Sequence, residues 1–171
     1  VGREESLKYF QSIYVRLDSK FDLGMFFEGI SGEKGTELVK ENLGKVFEEG
    51  EKGAIIFKGE NFGLHTRVFL NSEGLPTYEA KELGLAEIKK DLFDYDLSIT
   101  ITANEQDAFF KVVEVAIGQV FPELNGKLKH LSHGMLRLPS GKMSSRTGDV
   151  ITAVSLIDQV KAKVLEKITD R

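Results

Sequence analysis

The sequence predicts an α/β fold: parallel strands between helices over residues 75–171, preceded by a smaller α+β region over residues 1–74. Three observations lead there. From Thr77 onward the chain reads helix, strand, helix, strand, loop, helix, the alternation that builds a parallel sheet. Residues 96–103 alternate Leu97, Ile99 and Ile101 with Ser98, Thr100 and Thr102, the period-two pattern of a strand. The first 74 residues are glycine-rich and less regular, and Asn71-Ser72-Glu73-Gly74 is a strong turn that marks a boundary.

Taken in order, residues 4–17 read as an amphipathic helix, because Leu7, Phe10, Ile13, Tyr14 and Leu17 recur at spacings of three and four. Residues 19–22 break it, and residues 23–27 suit a short strand. Gly29, Gly32 and Gly35 predict a loop. Residues 36–47 follow as a helix with Leu38, Val39, Leu43, Val46 and Phe47 on one face, Thr36 as its N-cap, and Gly50 and Gly53 beyond its end. Residues 54–58 and 66–70 are β-rich runs that residues 59–63 can join as a hairpin. A helix from Thr77 to about residue 90 comes next, then the strand at 96–103. Residues 105–120 form a helix with Phe109, Val112, Val113, Ala116, Ile117 and Val120 on one face, and Phe121-Pro122 stops it. Residues 128–138 read as a second strand bent at Gly134. Ser155-Leu156-Ile157-Asp158 opens the last helix as a Ser-x-x-Asp capping pattern.

Bulk properties narrow the classes of function. At 171 residues the chain can hold one real core, and 41% hydrophobic with 29% charged residues is ordinary for a globular protein. No apolar run approaches the ~20 residues that span a bilayer, and the charged, amphipathic start carries no secretory signal. The absence of cysteine excludes disulfides and thiolate metal sites. A net charge of −4 argues against nucleic-acid binding by bulk electrostatics. A local basic stretch does exist: Lys127, Lys129, Arg137, Lys142 and Arg146, with His130 and His133 among them. A solvated strand face accounts for its first members.

Chemistry concentrates in Gly141-Lys142-Met143-Ser144-Ser145-Arg146-Thr147-Gly148. A loop flanked by glycines can turn backbone N–H groups toward an anion. Lys142 and Arg146 can neutralise phosphate charge there, while Ser144, Ser145 and Thr147 donate hydroxyl hydrogen bonds. That is what a nucleoside triphosphate needs as pyrophosphate leaves. A second constellation is Tyr78 and Glu82, four apart on one helix and therefore on one face. With Gln106 at the end of the following strand they suit a guanidinium, which takes a carboxylate and a flat or hydrogen-bonding partner. Ligands in parallel sheets bind at the carboxyl ends of the strands, and both clusters fall at such ends. His130 and His133, three apart on a strand, face opposite ways and make a poor metal pair; His65 stands alone.

The loop resembles the Lys-Met-Ser-Lys-Ser signature of class I aminoacyl-tRNA synthetases. The longer run His130-Leu131-Ser132-His133-Gly134-Met135-Leu136-Arg137-Leu138, with Lys142 to Gly148 and Val150-Ile151, resembles the arginyl-tRNA synthetase form. The likeness extends back through Pro76-Thr77-Tyr78 and Ala103-Asn104-Glu105-Gln106-Asp107, and is best over residues 63–160. It implies the second half of a Rossmann-like nucleotide-binding fold. It also implies activation of arginine by ATP, with Mg2+, to arginyl-adenylate and transfer to tRNA in the cytoplasm, with no membrane and no protein-bound metal. By resemblance, Gly134, Met135 and Leu136 line the adenine site, Lys142, Ser144, Ser145 and Arg146 hold ATP, Lys142 and Arg146 act in catalysis, and Tyr78, Glu82 and Gln106 take arginine. Two departures stand out: Glu82 replaces an aspartate, and Ser145 replaces a lysine. The His-x-Gly-His motif of the fold's first half does not occur, so the resemblance implies a piece of a longer enzyme whose isolated activity is lost. Another class I synthetase, or a non-catalytic nucleotide-binding module on the same half-fold, are the alternatives.

Overall fold

The computed structural model describes residues 2–135 and 152–169. Two compact units divide it. One contains α1 (Gly2–Arg16) and α5 (Ala153–Thr169), between which the Arg16 guanidinium meets Asp158 at 2.5 Å. The helix α5 begins two residues before Ser155. Its cap is Thr152, whose Oγ1 accepts the Ser155 N–H at 3.1 Å, so the capping residue lies three positions ahead of the one expected.

The other unit, Phe26–Met135, carries the core. It starts with α2 (Glu28–Glu41), followed by three antiparallel strands, β1 (Glu48–Glu49), β2 (Ile55–Phe57) and β3 (Arg67–Leu70). The expected short strand at 23–27 is irregular chain. The expected glycine loop is the body of α2, which ends six residues sooner than the predicted helix. The physical reason lies in the partner helix, α3 (Tyr78–Leu92). A Cβ on Gly35 would stand 1.8 Å from the Ala80 carbonyl oxygen, and one on Gly84 only 2.1 Å from that of Ser31. The two helices cross backbone to backbone. Helix propensity lost at Gly35 and Gly84 is exchanged for that close approach, which no side chain at these two positions would permit.

This packing gives a test. Gly84→Ala is expected to destabilise the fold by about 3 kcal/mol, the upper end for an overpacked site, because backbone rather than a flexible side chain must yield. Gly29→Ala, in the same helix pair but with nothing within 4 Å of its Cβ, is expected to stabilise by about 0.5–1 kcal/mol. Urea unfolding midpoints of both variants check the pair of signs.

The turn Asn71-Ser72-Glu73-Gly74 forms as expected. Asn71 Oδ1 accepts the N–H groups of Glu73 and Leu75, both at 2.9 Å, and Gly74 adopts φ +74°. It delivers the chain from β3 into α3. Thr77, at the N-cap position, does not cap α3; its hydroxyl contacts the carbonyls of Val68 at 2.7 Å and Phe69 at 3.0 Å, tying the helix start to the strand. The core crosses this turn without interruption. Leu38, Val39, Phe47, Phe69 and Leu70 share one cluster with Leu83, Val112 and Val113, and the Phe47 and Phe69 rings lie 4.8 Å apart.

After α3 come β4 (Ser98–Ala103), a short 3-10 turn (Asn104–Gln106), α4 (Asp107–Val120) and β5 (Leu128–His133). The strands β4 and β5 pair in parallel, in register from Ser98 with Leu128 to Ala103 with His133, as the alternation of elements predicts. The helix α4 packs on α3 and β5 through Phe110, Val113 and Ile117. The polar residues of β4 point inward: Ser98, Thr100 and Thr102 are half-buried, while Ile99 and Ile101 are exposed. Inward threonines and serine on a strand rim leave hydroxyls available to charged groups, which the site uses.

Candidate functional site

The register of β4 and β5 sends two segments out from one sheet edge. Asn104–Gln106 leaves β4 after Ala103, and Gly134 and Met135 leave β5 after its partner His133. Beside the first of these lies a cleft of about 580 Å³. Its walls come from four places: Arg67 on β3, Tyr78, Glu79 and Glu82 on the first turns of α3, Thr102, Glu105 and Gln106 at the end of β4, and Phe109 and Phe110 on α4. The structure therefore brings Tyr78, Glu82 and Gln106 to one cleft. Gly134 and Met135 are exposed at the end of β5, where the His133 ring contacts the Gly134 carbonyl at 2.9 Å. Leu136, Lys142, Ser144, Ser145 and Arg146 lie outside the described residues.

Charge in the cleft is unevenly compensated. Glu79, 9% exposed, meets the Arg67 guanidinium at 3.5 Å, and that guanidinium also lies 5.9 Å from the centre of the Phe109 ring. Arg67 Nε is buried with no partner among the described residues. Glu105 is exposed. Glu82 forms no hydrogen bond or ion pair among the described residues, and burial pushes its carboxyl above the usual carboxylate range, with Lys89 acting in opposition. Three carboxylates thus line the cleft with one guanidinium, Arg67, which one of them already holds. Tyr78, 70% exposed, stands at the mouth, with the Lys81 ammonium 4.9 Å from its ring centre and that ammonium paired with Glu28.

A second chain of contacts reaches the cleft from below. His130 on β5 stacks on Phe110, with ring centres 4.3 Å apart, and its Nε2 lies 2.8 Å from Thr102 Oγ1. Its Nδ1 faces Asp107 Oδ1 at 3.6 Å. His130 therefore points to α4 while His133 is exposed, so the two histidines separate as their spacing predicts.

Sequence reasoning missed Arg67 and Glu79. Glu79 adjoins Tyr78, but neighbours on a helix diverge by about 100°. Only the placement of β3 against α3 brings it to Arg67. The helical spacing did hold one readable signal: Lys89, seven residues after Glu82, returns to the same face two turns later.

Comparison with known proteins fits this geometry. The family model described as tRNA synthetases class I (R), catalytic domain, matches residues 4–171. The arginine–tRNA ligase of Treponema denticola is 32% identical over 158 residues, covering 92% of this chain and 27% of the relative. That of Flavobacterium psychrophilum is 33% identical over 153 residues, covering 88% of this chain and 25% of the relative. The chain thus spans about a quarter of the length of the curated relatives it matches. Among solved structures, a putative arginyl-tRNA synthetase from Campylobacter jejuni superposes with a TM-score of 0.72 at 18% identity, covering 95% of this chain and 36% of that one. The arginyl-tRNA synthetase from Plasmodium falciparum gives a TM-score of 0.70 at 20% identity, covering 98% and 28%. These structural likenesses establish the fold, and the sequence matches establish kinship: the chain belongs to the class I tRNA synthetases of the R, or arginyl, type, within their catalytic domain.

Proposed function

We propose that this chain supplies the arginine site and the triphosphate loop of an enzyme that joins arginine to tRNA through arginyl-adenylate. The observation that carries the reading is the meeting of Tyr78, Glu82 and Gln106 in one cleft, with Glu82 a half-buried carboxylate that forms no ion pair among the described residues. A guanidinium fits there. Glu82 accepts its N–H groups, the Tyr78 ring offers a face, and Gln106 supplies an amide carbonyl. Glutamate in place of the family's aspartate reaches one methylene further from the same helix. In this reading residues 75–171 carry the second half of the nucleotide-binding domain and residues 1–74 the insertion region before it.

The sheet edge orders the reaction. Arginine lies against the end of β4, and adenine is held by Gly134 and Met135 at the end of β5, with Leu136 next in sequence. The arginine carboxylate oxygen attacks the α-phosphorus of ATP, a P–O bond forms, and the bond to pyrophosphate breaks. Lys142 and Arg146, with Ser144 and Ser145, stabilise charge on the departing pyrophosphate. Catalysis is then positioning and electrostatics, with no side-chain nucleophile. Magnesium enters as part of the ATP substrate. Among the described residues no group of three or more His, Asp or Glu is placed to hold a metal, and no step is routed through a protein-held ion. The tRNA accepts the arginyl group, and the cytoplasm is the proposed site of action. No helix among the described residues is long and apolar enough to cross a membrane.

Citrulline tests the arginine assignment, because it keeps the shape of arginine and replaces the cation by a neutral urea. Arginine is expected to compete for the site about ten- to a hundredfold better than citrulline, the worth of one charge-assisted hydrogen-bonded contact. Equal inhibition constants would remove the guanidinium from the cleft.

A further inference from the structure

Glu82 opens onto two spaces. One is the cleft. The other is a small pocket shared with Lys89 of the same helix and with Ser98 and Thr100 of β4. Lys89 is half-buried, and its Nζ donates to Ser98 Oγ at 2.9 Å. It follows Glu82 by seven residues, or about two helical turns, so the two side chains share a face of α3. No ion pair joins them.

This arrangement solves a specific problem. A carboxylate that is to receive a guanidinium must be ionised, yet burial penalises its charge. A lysine in direct contact would keep it ionised but would take up the lone pairs meant for substrate. An ammonium held back on a hydroxyl supplies the field and leaves the oxygens free. We propose that Lys89 is a positioning residue for the guanidinium site, anchored on Ser98 behind Glu82 so that its charge keeps the carboxylate ready without occupying it. The inference rests on the arginine site proposed above.

The other charged groups around Glu82 do not substitute for Lys89. Arg67 on β3 is engaged by Glu79. Glu79 on α3, Glu105 after β4 and Glu114 on α4 are of like sign, and Glu114 is itself held up by burial. Lys129 on β5 also lines the small pocket, but it is an exposed residue. Tyr78 is neutral. The mutual effects agree with the geometry. Among the described residues Lys89 is the charge that opposes the upward push burial gives Glu82, and burial lowers Lys89 against the pull of Glu82.

The sign of the expected pH dependence follows. Without Lys89 the Glu82 carboxyl rises further, so its ionised fraction at neutral pH falls, and arginine binding weakens. Raising the pH restores the carboxylate and the binding, at about tenfold per pH unit below the new pKa. The test is the arginine KM in aminoacylation, measured from about pH 6.5 to about pH 9 in the active enzyme that carries this sequence, for Lys89→Met, Lys89→Arg, Ser98→Ala and Glu82→Gln. Lys89→Met is expected to raise the arginine KM more near pH 7 than near pH 9, with the ATP KM unchanged. Lys89→Arg is expected to stay near wild type. Ser98→Ala, which frees the ammonium to close on Glu82, is expected to raise the arginine KM several-fold, and it carries the test if Lys89→Met does not fold. An arginine KM that rises equally at both pH values in Lys89→Met, or that stays unchanged in Ser98→Ala, overturns the proposal. If Glu82→Gln leaves the arginine KM unchanged, the guanidinium site itself is wrong and the role of Lys89 falls with it. If Glu82→Gln raises the KM and Lys89→Met does not, the role of Lys89 alone is wrong.

Discussion

Lys142→Ala and Arg146→Ala are each expected to slow adenylate formation by about 30- to 1000-fold, or 2–4 kcal/mol, while arginine and ATP still bind. The argument is one of timing. Negative charge on the bridging oxygen grows only as the bond to pyrophosphate lengthens. A cation placed on the triphosphate by the 141–148 loop therefore gains more in the transition state than in the ground state, and only such a difference accelerates the step. Ser145, where other members carry lysine, leaves these two residues as the cations of the segment. If they act as proposed, kcat falls and the ATP KM moves little. A solvated loop cation would instead contribute within about 0.5 kcal/mol. Rapid-quench measurement of adenylate formation separates the two outcomes, and a fall of less than tenfold in both variants removes the loop from catalysis.

The second large effect belongs to Glu82. Glu82→Gln preserves size and removes the half-buried carboxylate of the cleft that no described cation pairs with. The arginine KM is expected to rise about ten- to a hundredfold, from loss of a charge-assisted hydrogen bond worth about 1.5–3 kcal/mol. The ATP KM is expected to stay within about threefold of wild type, since adenine is assigned to the end of the neighbouring strand. Glu79→Gln makes a useful contrast. It frees the Arg67 guanidinium, whose Nε already lacks a partner, and leaves a buried charge uncompensated. Its cost is expected mainly in stability, about 3–5 kcal/mol at most for a fully buried pair and less here because Arg67 is one-third exposed. A rise in arginine KM without loss of stability in Glu79→Gln would move the guanidinium contact from Glu82 to Glu79.

What was legible in the sequence was what depends on local periodicity. The spacing of Tyr78 and Glu82 on α3, the alternation along β4 and the turn at Asn71-Ser72-Glu73-Gly74 are each set within a few residues, and each appears in the structure. Parallel pairing of β4 and β5 followed from the order of elements and places Gln106 beside Tyr78 and Glu82. What failed depended on partners distant in sequence. Gly29, Gly32 and Gly35 read as a loop because glycine lowers helix propensity, and only the backbone of α3 against α2 reveals why a helix is retained there. Strand alternation identified β4 but not which face turns inward. Ser98 and Thr102 face in because Lys89 and His130 meet their hydroxyls, which propensity cannot show. Arg67 was unreadable for the same reason: a lone arginine at the start of an apolar strand acquires meaning only from the helix that packs on it.

The central claim is that Glu82 pairs with a substrate guanidinium, and the preference for arginine over citrulline tests it most directly when measured in wild type and in Glu82→Gln together. The two changes remove the same contact from opposite sides, so they should not add. The expected result is a preference of about ten- to a hundredfold in wild type that collapses to within about threefold in Glu82→Gln. A preference that survives the substitution undiminished would mean that some other group reads the cation, and would contradict the assignment of the cleft.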